Sequence, residues 1–124
     1  MKRRFLIALP LLFPAAPAAA TQGFACRTTA PEGVTMSVVI GSLGVVGATL
    51  TNGGERLSSF DDGGLVLGQN WVDERALLLD LLSPDHRERV ARLRVGLGGA
   101  LESRELTGWL EYAGRRWRTV CAPD

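Results

Sequence analysis

Two short alternating runs meet at Ala113-Gly114 and the second closes on Cys121, so residues 106–121, LTGWLEYAGRRWRTVC, have one simple local fold, a β-hairpin. Directly opposed residues of a two-stranded ribbon share a face, and a slip of one residue turns every side chain over. A two-residue turn pairs Leu110 with Trp117 and Leu106 with Cys121, gathering Leu106, Gly108, Leu110, Trp117, Thr119 and Cys121 on an apolar face. Thr107, Trp109, Glu111, Arg116, Arg118 and Val120 take the other. A three-residue turn with a glycine bulge would set Arg116 and Arg118 beside the leucines, where unpaired charge is costly. The two-residue register is therefore expected. It opposes Glu111 to Arg116 and Trp109 to Arg118, an ion pair and a cation–π contact of roughly 0.2–1 kcal/mol each.

The other end of the chain carries an address. Met1-Lys2-Arg3-Arg4, the apolar FLIALPLLF and the small-residue PAAPAAA follow one another as the three zones of a secretory signal peptide, residues 1–20, with the cut before Thr21. The apolar stretch with its prolines at 10, 14 and 17 is short of the ~20 residues that span a bilayer, and Cys26 stands too far downstream for a lipid-modified terminus. The expected product is periplasmic or secreted, with no transmembrane anchor after cleavage.

Cleavage leaves residues 21–124, a single β domain of 104 residues, near the size at which a covalent staple helps. Cys26 and Cys121 stand near its two ends, and in an oxidising compartment they are expected to pair. Their spacing is unlike that of a redox or metal motif. The mature chain keeps 11 Arg against 13 Asp plus Glu, a net charge of −2, divided as −5 over residues 21–85 and +3 over residues 86–124. A basic half attracts anionic partners. Export and the negative total argue against nucleic acid.

Residues 21–33 read as a leading segment with one short strand at 24–28, pinned by Cys26. Residues 34–40 and 45–51 are rich in Val, Ile and Thr and flank a Gly41-Ser42-Leu43-Gly44 turn; Asn52-Gly53-Gly54 and Asp61-Asp62-Gly63-Gly64 then punctuate strands at 55–60 and 65–69. Residues 70–97 are built of good helix formers, but Ala91, Leu93, Val95 and Leu97 alternate with Arg92, Arg94 and Gly96. That period of two favours a strand hairpin through Ser83-Pro84-Asp85-His86 over two helices. Residues 98–105 are expected to form an exposed loop. The fold class is all-β, a small antiparallel up-and-down barrel or curled two-layer sandwich of about eight short strands, closed by one disulfide and filled by its own side chains.

Catalytic signatures are weak. His86 follows Ser83 and Asp85 in what is ordinary turn composition, whereas a nucleophilic triad draws its members from separate elements. The glycines at 41, 44 and 47 lack the helix and lysine of a phosphate loop, and Asp61-Asp62 lacks a third calcium ligand, so no cofactor or metal is expected. The constellation worth testing is the outward face carrying Arg92 and Arg94, then Trp109, then Arg116 and Arg118, residue types common as interface anchors and suited to sugars and anionic polymers. The expected function is a small exported binding or inhibitor-like module whose partner is an envelope protein or an anionic polysaccharide. The alternatives are a structural envelope protein without a discrete ligand and, less favoured, a hydrolase.

In layout, an exported all-β domain with one end-to-end disulfide resembles the small periplasmic inhibitors of C-type lysozyme. That family's Ser-Gly-x-x-Tyr inhibitory loop has no counterpart at Ser58-Ser59-Phe60 or at Gly108-Trp109-Leu110-Glu111-Tyr112, so no residue role is carried over.

Overall fold

The computed structural model describes residues 22–30, 33–97 and 105–124. The signal-peptide reading at 1–20, the Pro31-Glu32 part of the first turn and nearly all of the expected 98–105 loop lie outside them. Among the described residues there are nine strands: β1 Gln22–Thr28, β2 Thr35–Gly41, β3 Gly44–Asn52, β4 Glu55–Ser58, β5 Val66–Val72, β6 Ala76–Leu82, β7 Arg89–Leu97, β8 Leu106–Tyr112 and β9 Arg115–Pro123. They form one antiparallel sheet in the order β4-β3-β2-β1-β9-β8-β7-β6-β5, curled into a half-barrel.

The closing hairpin is β8 and β9, and its register is the expected one: Leu106 opposes Cys121, Leu110 opposes Trp117, and Glu111 opposes Arg116. Ala113 and Gly114 both have positive φ, 53° and 77°, the two left-handed residues that a two-residue turn matching strand twist requires. Residues 76–97 are two strands, β6 and β7, without helix. Leu77, Leu79 and Leu81 oppose Val95, Leu93 and Ala91, and all six are buried, so period two decided this segment over its helical composition.

The strand count exceeds eight because residues 22–28 are a full strand. Cys26, on β1, directly opposes Cys121 on β9 and is bonded to it across 95 residues of sequence. An odd count in a simple meander would separate the chain ends, and the connection after β4 resolves this. Every neighbouring pair in the sheet is antiparallel, so β4 and β5 run in the same sense. Leu65 N donates to Ser58 O at 3.0 Å, which makes β4 and β5 two halves of one stroke and residues 59–64 an excursion between them. Counted as strokes there are eight, and both cysteines fall at the same level.

The curl puts Met36, Leu50, Leu79, Leu93, Leu110 and Trp117 in the interior, with the disulfide among them. At roughly 25 cal/mol per Å² of apolar surface, each such large side chain contributes about 1.5–3 kcal/mol relative to exposure. Thr119 is also fully buried there, and its hydroxyl is satisfied by donating to the Arg27 carbonyl at 2.7 Å. Among the described residues the sheet does not close through a ladder between its two ends. β4 covers β3 only from Thr49 to Asn52, and β3 approaches β5 without pairing with it, which leaves a seam.

Candidate functional site on the outer face

Alternation along β6 to β9 puts the sequence-selected residues on the convex face in two rows. Asp80, Arg92, Glu111 and Arg116 oppose one another in succession, and so do Leu78, Arg94, Trp109 and Arg118. All five candidates thus share a face, but they divide into two groups.

Arg92 and Arg94 are engaged by Asp80, which is 6 % exposed beneath them. Arg92 Nε lies 3.1 Å from Asp80 Oδ1, and Arg94 Nη2 lies 2.9 Å from the same oxygen. Arg94 Nη1 also donates to the Leu93 carbonyl at 2.8 Å. The two arginines thereby satisfy a covered carboxylate, and their stems pack over it. Asp80→Ala is expected to cost about 1–3 kcal/mol in urea denaturation, because it strands two partly covered guanidinium groups.

In the second group Arg116 and Arg118 are exposed, while Trp109 is half-buried with Arg116 over one face. Arg116 Nη2 reaches Glu111 Oε2 at 3.1 Å while its Cζ sits 4.0 Å from the Trp109 ring centroid. The expected cation–π partner of Trp109 was Arg118, directly opposite. The diagonal Arg116 replaces it because Glu111 anchors that guanidinium on the same face, within reach of the ring. Arg118 is exposed and, with Trp109, Arg116 and Thr107, borders a shallow hollow. Sequence reading missed Arg27, which β1 places opposite Val120, diagonal to Arg118 on the same side of the sheet. Arg27 and Arg118 are exposed and have no carboxylate within ion-pair distance among the described residues. A stacked indole beside two guanidinium groups without an ion-pair partner among the described residues is a surface for anions with a flat or apolar part.

The Ser83, Asp85 and His86 cluster is a turn. The Ser83 hydroxyl donates to the Asp85 carboxylate and accepts from Glu88 N at 3.0 Å, so it is committed away from His86, whose backbone is left-handed at φ 65°. That hydroxyl, and then Arg87 N, holds the Asp85 carboxyl below the usual aspartate range.

A second feature was not selected from the sequence. The large hydrophobic side chains exposed among the described residues are Leu43, Val46, Phe60 and Trp71, and they border the seam. Leu43 tips the β2–β3 turn, Val46 lies on β3 beyond the reach of β4, Phe60 is on the excursion over Gly47, and Trp71 is on β5. The signal was Trp71 followed two residues later by Asp73, a spacing hidden within the helix-forming composition of WVDERALLLD.

The disulfide suits an oxidising, extracellular type of environment. No helix among the described residues is long and apolar enough to cross a membrane. Nothing among known family models, curated proteins or solved structures matches the chain.

Proposed function

We propose that this chain is exported by its residue 1–20 leader and works as a rigid binding module, its outer face holding an anionic polysaccharide of the cell envelope. The observation that carries the reading is the Trp109 ring with Arg116 held over it by Glu111, and with Arg118 and Arg27 alongside, neither ion-paired among the described residues. Binding here needs no moving part. The ladder from β7 to β1 fixes the backbone spacing and Glu111 holds Arg116 over Trp109, so only Arg118 and Arg27 need be ordered on association. Arg92 and Arg94 lie on the neighbouring strand of the same face, with their charge partly offset by Asp80.

The test compares the mature protein with its Trp109→Ala/Arg118→Ala variant in binding to purified lipopolysaccharide, to peptidoglycan and to envelope extract. The expected result is retention of the wild type on at least one anionic polymer and a loss of about tenfold or more in the variant at unchanged thermal stability. An unchanged set of interactions in the variant makes the face ordinary solvated surface and leaves a structural envelope role.

A further inference from the structure

We propose a second binding site, for a neutral sugar chain, on the exposed indole of Trp71 at the seam. Three observations carry it. Trp71 is 58 % exposed, so much of its indole faces solvent. Its ring is nevertheless fixed. The indole Nε1 donates to Asp73 Oδ2 at 3.0 Å, while Asp73 Oδ1 accepts from the backbone N–H groups of Arg75 at 2.7 Å and Ala76 at 2.9 Å. The carboxylate is thus anchored to the β5–β6 turn, and the ring to the carboxylate. A stacking platform held in place before the ligand arrives loses little rotamer entropy on binding.

The third observation is what lies beside the ring. The hollow between Trp71 and the β2–β3 turn is bordered by Gly41, Ser42, Leu43, Gly44 and Asn70, and no charged residue lines it. Small turn residues leave their peptide groups open to a ligand, and Ser42 adds a hydroxyl. An aromatic face next to uncharged donors and acceptors complements a pyranose ring, which has an apolar C–H face and hydroxyls around its edge. An apolar side chain from a protein partner would cover the same polar groups without satisfying them. An anionic ligand would find no cation in the lining. Trp71 stands in the same outer-face row as Trp109, through Leu78 and Arg94, but three strands away, so separate substitutions test the two sites.

Trp71 also lies beside its cross-strand neighbour Leu78, so a shielding role is the competing explanation, and the experiment separates the two. The mature protein is run by affinity electrophoresis through gels containing hydroxyethylcellulose or glycol chitin, and cellohexaose and chitohexaose are titrated in solution. The expected result is retardation on at least one neutral polymer, insensitive to salt. Trp71→Ala should weaken it about tenfold or more, and Trp71→Phe less. Asp73→Asn, which leaves an oxygen for the turn N–H groups but turns an amide N–H toward the indole N–H, should weaken it several-fold by loosening the ring, with at most a small fall in melting temperature. Trp109→Ala and Arg118→Ala should leave it intact. Absence of retardation on every neutral polymer overturns the proposal, as does retardation that survives Trp71→Ala. Self-association that disappears in Trp71→Ala while no sugar binds also overturns it, in favour of apolar docking.

Discussion

Replacing Cys26 and Cys121 by alanine is expected to lower the free energy of unfolding by about 2–5 kcal/mol, a large share of what a domain of this size holds. The bond closes 95 residues of sequence, nearly the whole β domain, so the chain-entropy model gives the upper part of that range. Its place in the sheet adds to the effect. The β1–β9 ladder joins β2, β3 and β4 on one side to β5, β6, β7 and β8 on the other, and the seam makes no ladder of its own. Without the bond, that junction must form between the two ends of the chain. Both cysteines are buried, so the variant also loses packed sulfur in the core. Urea denaturation of the oxidised protein and the double variant measures the difference, and coincident midpoints would contradict it. Intact-mass measurement should find no alkylatable thiol before reduction.

Gly108→Ala is expected to cost about 2–4 kcal/mol even though it adds one methyl group to an apolar face. A Cβ at position 108 would lie 1.9 Å from the Arg94 carbonyl oxygen and 2.8 Å from Val95 Cα. These are backbone atoms of β7, so no side-chain rotation relieves the overlap. Either the β7–β8 ladder opens or β8 shifts, and β8 also holds Leu110 in the core and Trp109 on the outer face. Gly54→Ala is the matched control, because nothing lies within 4 Å of its added carbon and its φ is ordinary. That change should stay within about 0.5 kcal/mol. Equal midpoints for the two variants would contradict the close approach of β7 and β8.

What could be read from the sequence was local. The register of β8 and β9 follows from the cost of burying Arg116 and Arg118 beside leucines, and the alternation of Leu93 and Val95 with Arg92 and Arg94 decides strand over helix. What could not be read depends on pairing between distant segments. A short strand at 24–28 was legible, but its extension to a full strand, Gln22–Thr28, comes from β9 and β2 flanking it on both sides. The shared stroke of β4 and β5 rests on the Leu65 to Ser58 hydrogen bond, which a count of turns cannot reveal. Asp80 reads as a break in an apolar run, and its engagement of Arg92 and Arg94 follows only from the β6–β7 register. The candidate face was accordingly identified with too many open arginines and without Arg27.

The outer-face reading is tested most directly by a heparin titration of the mature protein at increasing salt. Raising ionic strength from about 0.1 M to about 1 M shortens the Debye length from about 10 Å to about 3 Å, which screens exposed arginines such as Arg27 and Arg118. The expected result is saturable binding that weakens about tenfold or more over that range and is lost in Trp109→Ala/Arg118→Ala. Binding that ignores both salt and the double substitution, or no binding at low salt, would contradict an anion-binding face built on Trp109.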